Sequence, residues 1–271
     1  MMHAPRLPLR ILKRPARGVL RAFACLAGVA LALAAPAAKL SAQEITKAEY
    51  ASPTSEYPHG VLGDAIEWKT LEITVADATG TDAGRVSGSS RLTYKIDAGE
   101  GLVFEDTQPR LWDMTGDGLP EVVAVQSHQY QGARLVVFGL AAGKPNVLAA
   151  TPHIGTRFRW LAPVGAADLD GDGNIEVAFV DRPHLAKTMR VWRLEGDDFY
   201  EIATLPGVSN HRIGEDFITG GVRNCGQGPE LVIADARWSQ VLATRLNDGK
   251  LSSQPLGPFS ASAVKAALNC N

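Results

Sequence analysis

The sequence predicts an all-β fold built from repeats, and three observations support this prediction. Short runs of β-branched and apolar residues alternate with clusters of Gly, Asp, Asn and Pro. Helical periodicity is almost absent from these runs. An Asp/Gly-rich segment also recurs with a period of about 55 residues, which is typical of repeat architectures. The chain has 271 residues, of which 45% are hydrophobic, so it can bury a core.

The N-terminal part of the chain predicts export. Basic residues precede an apolar stretch that runs from Ala22 to about Ala38 and ends among small residues. This pattern is typical of a secretory signal peptide. We predict a signal peptide over residues 1–42, cleaved after Ala42, a single domain over 43–271, and a periplasmic or secreted location. The alternative is an uncleaved membrane anchor, although the stretch is shorter than the roughly 20 apolar residues that a spanning helix needs.

Two cysteines, Cys225 and Cys270, remain after removal of the leader. In an oxidising compartment they predict one disulfide, since a metal site from two lone cysteines is the weaker alternative. The bond would connect the C-terminus to a Gly-rich loop. Closing a loop of about 45 residues is worth a few kcal/mol in the chain-entropy model.

Strand-like runs occupy most of the mature sequence. The clearest are residues 71–75, 121–125, 134–138, 176–180, 189–194 and 231–234. One period, between Glu121 and Asp168, holds four predicted strands, which is the content of a propeller blade. We therefore predict a β-propeller-like domain of about four four-stranded repeats. The competing interpretation is a β-sandwich with a fortuitous repeat.

Three copies of one segment define the period. They begin at Asp113, Asp168 and Asn224, and each ends on a glutamate that opens a strand, at Glu121, Glu176 and Glu230. A weaker fourth copy, Leu62 to Glu67, lies about one period upstream.

The second of these copies predicts a calcium loop. Asp168, Asp170 and Asp172 occupy loop positions one, three and five, Asn174 would contribute its carbonyl at position seven, and Glu176 stands at position nine. Calcium prefers six to eight oxygen ligands, and a tight glycine turn brings alternate side chains to one centre. The alternative is an Asp/Gly turn that binds nothing, since both residues favour turns for conformational reasons.

The first copy has the same frame with a lower ligand charge. Asp113, Asp117 and Glu121 keep their positions, while Thr115 replaces the middle aspartate. Fewer charged ligands usually weaken calcium binding, so we expect weaker binding here. The third copy has lost its acidic positions and carries Cys225, which suggests a disulfide in place of the metal.

These motifs resemble the FG-GAP repeats of integrin-type propellers and the related VCBS repeats of bacterial secreted proteins. The likeness is good over about residues 105–240 and weaker over 57–104. It implies propeller blades and Ca²⁺ as the cofactor, with the carbonyl of Leu119 as a further ligand in the first loop. Two departures stand out: the ninth position is Glu where the family often has Asp, and the first and last repeats lack the acidic set.

Three histidines suggest a second site. His59, His153 and His211 hold similar places before their repeats and could line a central pocket, or each could cap a turn or pack between blades. The tryptophans are expected to fill the space between blades more often than to form a binding surface. The arginines, among them Arg159 and Arg193, are expected to be solvated or locally paired.

The function predicted from these observations is that of an exported, non-enzymatic calcium-binding module that binds a protein or carbohydrate partner. A net charge of −2 gives no basic field for nucleic acid, and no second stretch could span a membrane. The alternative is an envelope hydrolase or lyase with His and carboxylate groups at the centre of the ring; a cluster of all three histidines with an acid in one open pocket would favour it. A third possibility is a small subunit of a larger assembly.

Overall fold

The computed structural model describes residues 43–77 and 91–271. The predicted signal peptide lies outside the described residues. The described chain forms, in order, β1 (Gln43–Thr54), β2 (Glu67–Asp77), β3 (Arg91–Asp97), β4 (Leu102–Phe104), β5 (Arg110–Trp112), β6 (Glu121–His128), β7 (Gly132–Ala141), β8 (Lys144–Ala150), β9 (Leu161–Ala167), β10 (Glu176–Asp181), β11 (Thr188–Glu195), β12 (Asp198–Pro206), β13 (Val208–Ser209), β14 (Gly221–Asn224), β15 (Pro229–Asp235), β16 (Gln240–Asn247), β17 (Lys250–Pro258) and α1 (Ala261–Leu268). Every strand-like run singled out in the sequence lies within one of these strands.

The strands pair into antiparallel sheets. One sheet has the order β1-β2-β4-β6-β7-β8, with β3 beside β2 and β5 beside β6. A second has the order β12-β11-β10-β9, and a third has β13-β15-β16-β17 with β14 beside β15. The sheets curl into a half-barrel, so the predicted all-β, propeller-like fold is confirmed.

The predicted repeats correspond to successive groups of four strands. β5–β8, β9–β12 and β14–β17 each contain a short or inner strand followed by a hairpin and an outer strand. The first repeat, β1–β4, is not a separate sheet, because β4 pairs with both β2 and β6. The terminal strands complete their own sheets, β1 against β2 and β17 against β16.

In the last three repeats the second strand is the most buried. All six residues of β10 are buried, as are seven of the eight in β6, whereas the outer strands β8 and β12 are mostly exposed or half-buried. Continuous apolar runs therefore form the central strands, as expected for strands covered on both faces. Trp160, Val123 and Val177 belong to one core cluster, and Trp112 and Trp192 pack against it. The core role predicted for the tryptophans therefore holds for Trp112, Trp160 and Trp192.

The C-terminal helix α1 is an element that the sequence did not predict. Ser260 caps it by accepting a hydrogen bond from the N–H of Ala263 at 3.0 Å, and Val264 and Ala267 are buried against the third sheet. The helix is short, so its periodicity is weak in the sequence. No helix among the described residues has the length and apolar character needed to cross a bilayer.

The predicted disulfide is present. It joins Cys225, in the loop between β14 and β15, to Cys270, which follows α1, with the two Cα atoms 5.6 Å apart. The bond holds α1 against the third sheet.

Candidate functional site

The loop from Asp168 to Glu176 connects β9 to β10 and closes on its first residue. The two carboxylate oxygens of Asp168 accept hydrogen bonds from the N–H groups of Gly171 at 2.7 Å and Gly173 at 3.0 Å. Both glycines have positive φ, 81° and 93°, which other residues rarely adopt. The glycines thus allow the loop to turn tightly around one carboxylate.

The next aspartates form local turns of the same kind. Oδ1 of Asp170 accepts the N–H of Asp172 at 3.3 Å, and Oδ1 of Asp172 accepts the N–H of Asn174 at 2.9 Å. The bond from Asn174, followed by the charge of Arg193, lowers the pKa of the Asp172 carboxyl. Asp172 is therefore ionised at neutral pH.

Glu176, the last residue of the loop, binds back to its beginning. Its side chain is fully buried, and Oε2 accepts the N–H of Leu169 at 2.8 Å. Burial raises the pKa of this carboxyl. One oxygen each of Asp168, Asp170 and Glu176 can be chosen so that all lie within 4.8 Å of one another, a spacing that suits a shared cation.

An arginine already contacts this group of acids. Arg193 lies on β11 directly opposite Glu176, and its guanidinium reaches Oε1 of Glu176 at 2.7 Å, Oδ2 of Asp170 at 2.6 Å and Oδ2 of Asp172 at 2.8 Å. Its side chain is only 15% exposed. Arg193 is thus locally paired, as expected, but its partners are the predicted metal ligands.

The loop from Asp113 to Glu121 repeats the same bonds between β5 and β6. Asp113 accepts the N–H groups of Gly116 at 2.7 Å and Gly118 at 2.9 Å, and Oε2 of Glu121 accepts the N–H of Met114 at 2.7 Å. The equivalence extends to the fifth position, where Asp117 accepts the N–H of Leu119 at 2.8 Å. The two loops therefore share one hydrogen-bonded frame.

The two loops differ in the residue opposite the glutamate. A Cβ placed on Gly139 would lie 3.6 Å from Cγ of Glu121, so Gly139 stands where Arg193 stands in the next repeat. In the described chain no ion pair reaches Asp113, Asp117 or Glu121. Burial raises the pKa of Glu121, and the charges of Asp117 and Asp113 raise it further.

The third copy replaces the acidic loop with arginines. Oε1 of Glu230 lies 2.6 Å from Nη2 of Arg223, and Oε2 lies 2.9 Å from Nε of Arg245. Arg245 occupies the position across from Glu230 that Arg193 occupies across from Glu176. Because this copy has also lost its aspartates, arginine and the nearby disulfide hold the loop together.

The fourth copy ends on a carboxyl without a counter-charge. Glu67 opens β2, its side chain is 1% exposed in the folded chain, and its Oε2 has no hydrogen-bond partner in the described residues. Burial raises the pKa of Glu67 well above its usual value, and the neighbouring acids Glu105, Asp64 and Asp106 raise it further.

Replacing Glu67 with Gln is expected to stabilise the protein at pH 7. A folded-state pKa above the unfolded value means that the unfolded chain releases this proton first, so wild-type stability falls as the pH rises above about 4.5. The variant lacks this titration and should be more stable by about 1–3 kcal/mol at pH 7 and indistinguishable below pH 4. Urea unfolding across this pH range measures the effect. Glu49→Gln, at an exposed position, is the control, and a Glu67→Gln variant less stable than wild type at pH 7 would contradict the argument.

The three predicted histidines do not meet in one pocket. His59 lines a cavity of about 250 Å³, and buried His211 contacts His184 in the wall of that cavity. His153 lines a different cavity of about 290 Å³ and donates through Nδ1 to the carbonyl of Gly132 at 2.7 Å. The three-histidine cluster that would favour a hydrolase or lyase is therefore not formed.

Sequence reasoning missed His184, which lines the first cavity, and Glu105, which lies behind its residue His59. Glu105 is fully buried and pairs with His59, and His184 stands beside His211. No sequence signal marks Glu105, since its partner is 46 residues away.

Both acidic loops and the segment between them have a counterpart among known families. The sequence model of one protein family, the FG-GAP-like repeat, matches residues 113–179. The match begins on the first residue of the loop at Asp113 and ends in β10, just beyond the loop at Asp168, so it spans one full period. The predicted resemblance to FG-GAP repeats is confirmed over this part of the chain. No curated protein matches the chain.

Proposed function

We propose that the protein is an exported, non-enzymatic, FG-GAP-like repeat module whose two acidic loops bind Ca²⁺ and which recognises a protein or carbohydrate partner. The single observation that carries the calcium proposal is the hydrogen-bonded frame shared by the two loops, which lie near the two ends of the segment that matches the FG-GAP-like repeat. Calcium would order the loops and take no part in chemistry.

The donor set fits a hard cation. The ligands would be Asp168, Asp170, Asp172, Glu176 and the carbonyl of Asn174 in one loop. In the other they would be Asp113, Thr115, Asp117, Glu121 and the carbonyl of Leu119. Every ligand atom in the two sets is a carboxylate, hydroxyl or carbonyl oxygen, which is the kind of donor that calcium prefers.

Arg193 changes the order of affinity that the sequence suggests. Spacing alone ranks the loop at Asp168 first, because it has one more carboxylate. Counting Arg193, however, the two loops carry the same formal charge, and three carboxylates of the loop at Asp168 each have an oxygen engaged by the guanidinium. A cation entering that loop must displace Arg193. We therefore infer that the loop at Asp113 fills first.

Thermal unfolding of the mature protein tests the calcium proposal. A ligand that binds only the folded state raises the midpoint, by about 2.7 kcal/mol of apparent stability at a hundred times its dissociation constant. We expect a higher midpoint in calcium than in chelator. An identical midpoint in calcium and in chelator would contradict the proposal.

A matched pair of variants separates the loops in the same assay. Asp117→Asn and Asp172→Asn each remove one charge at position five while keeping an oxygen for the local turn. We expect Asp117→Asn to remove more of the calcium-dependent shift. The reverse order would show that Arg193 does not compete with calcium.

The proposed export is supported by observations that are independent of the acidic loops. The predicted leader and the disulfide both suit an oxidising compartment. Expression of the full chain in a bacterial host, followed by fractionation and N-terminal sequencing, should place the protein outside the cytoplasm with Gln43 as its first residue.

A further inference from the structure

A cleft at the end of the molecule opposite the acidic loops has the features of a second binding site. Glu176 pairs with Ala167 at one end of the β9–β10 ladder, and Asp181 pairs with Leu161 at the other. The cavity of about 250 Å³ is lined by Trp160 and Arg182, the chain neighbours of Leu161 and Asp181, and so lies at this second end. We call it the histidine cleft and define it by His59, Phe158, Arg159, Trp160, Arg182 and His184. Calcium in either loop would lie away from it.

The ring of His59 is held in one orientation by the buried residue Glu105. Its Nδ1 pairs with Oε1 of Glu105, whose other oxygen accepts the hydroxyl of Ser127. Glu105 is fully buried, and its backbone carbonyl accepts the indole N–H of Trp160 at 2.8 Å. In the described chain, Nε2 of His59 has no hydrogen-bond partner. The ring is thus positioned to offer Nε2 to a ligand.

His184 is also positioned, and its tautomer follows from its neighbours. Nε2 of His211 contacts the carbonyl of Glu215 at 2.8 Å, so it carries the proton. Nδ1 of His211 then accepts, which makes Nε2 of His184 the donor across 3.0 Å. Burial, and then the neighbouring His211, lowers the pKa of His184 to about 4. Neutral His184 retains an unprotonated Nδ1.

Two arginines of the cleft have donors to spare. Arg159 is half-buried, donates once to the carbonyl of Phe158 at 2.9 Å and, within the described residues, meets no carboxylate. Arg182 uses Nε and Nη2 on Asp181, at 2.7 and 2.9 Å, which leaves Nη1. Guanidinium groups bind carboxylate, phosphate and sulfate groups through such paired donors.

The backbone of the cleft is held in an unfavourable conformation. Phe158 and Arg182 have positive φ, 56° and 46°, in the left-handed region that side chains other than Gly, Asn and Asp rarely adopt. Such strained conformations are found mainly where the surrounding structure enforces them, and they cluster at ligand-binding sites. Here they place an aromatic ring and a guanidinium on the same cleft.

The rim of the cleft is apolar. Leu185 and Ile213 line the opening and are 63% and 73% exposed. The floor includes the buried ring of Trp160. The cavity volume is slightly below the roughly 300–1,000 Å³ typical of sites for drug-sized ligands, so a small molecule or one end of a larger one fits.

We propose that the histidine cleft binds a small organic anion, with Arg159 and the doubly protonated ring of His59, paired with Glu105, donating to its acidic group and the rim of Leu185 and Ile213 receiving its apolar part. The site does not depend on the calcium loops, so it stands or falls separately from the proposed function.

Calorimetric titration of the mature protein in chelator tests this proposal. The probes are benzoate, phenyl phosphate and phenyl sulfate, with uncharged benzamide as the comparison. We expect at least one anion to bind saturably at one site per chain, with benzamide at least tenfold weaker. The tightest of the three identifies the acidic group that the cleft prefers.

Variants locate the binding. Arg159→Met and His59→Gln should each weaken the tightest anion at least tenfold, whereas Arg237→Met, at an exposed arginine, should stay within twofold of wild type. Unfolding midpoints confirm that each variant is folded. The proposal is overturned if no anion binds saturably, if benzamide binds equally well, or if folded Arg159→Met and His59→Gln both bind as wild type does.

Discussion

Replacing Arg193 with Met is expected to destabilise the protein in chelator and to make calcium restore the loss. The guanidinium holds Glu176, Asp170 and Asp172 together, and its removal leaves three carboxylates facing one another at the start of β10. Leaving one partner of a largely buried ion pair uncompensated costs about 3 kcal/mol or more. Without Arg193, calcium can enter the loop unopposed. The free energy of unfolding, measured in urea with calcium and with chelator, reports both effects.

Arg245→Met is the matched control for this experiment. Arg245 stands opposite Glu230 as Arg193 stands opposite Glu176, but its loop has no aspartates, and Arg223 still pairs with the glutamate. Its removal should destabilise less, and calcium should not restore the loss beyond the gain seen in wild type. If calcium rescues both variants equally, the loop at Asp168 does not bind the ion.

Removal of the disulfide is expected to have an effect of similar size. Cys225 and Cys270 are 45 residues apart, and a loop of this length corresponds to about 4 kcal/mol in the chain-entropy model. The bond also fixes α1, in which only Val264 and Ala267 are fully buried. The double variant Cys225→Ser/Cys270→Ser should therefore unfold at lower urea concentration and lose amide protection first in α1.

Reduction of the wild-type protein provides the control. Reduced wild type should match the double variant, and the double variant itself should not respond to reductant. A double variant as stable as oxidised wild type would mean that the native contacts alone hold the C-terminus in place.

Local pattern determined much of the fold. The strand-forming runs are long and strongly apolar, so each became a strand, and the repeated Asp/Gly segments became loops with the same hydrogen bonds. Glycine at fixed positions and aspartate at position one specify these loops locally, without help from distant residues. The disulfide could be predicted because only two cysteines lie outside the predicted leader.

Contacts between distant residues could not be predicted in this way. The weak first repeat merged with the second through β4, a strand of three residues that carries no distinct signal. Helix α1 is too short to show a clear period. The histidine positions repeat along the chain, yet His153 lies in a different cavity from His59, since each preceding loop packs against different neighbours.

The sequence by itself determined the two acidic loops, their order along the chain and the all-β architecture, because these depend on residue types at short spacing. Only the tertiary structure decided what faces them. Strand pairing places Arg193 opposite Glu176 and Gly139 beside Glu121. The guanidinium of Arg193 therefore balances part of the acidic charge of the loop at Asp168, whereas the loop at Asp113 has no such group. The same long-range packing brings Glu105 behind His59 to form the histidine cleft. Charge balance at a site depends on cross-strand neighbours, and these are set by register and not by local spacing.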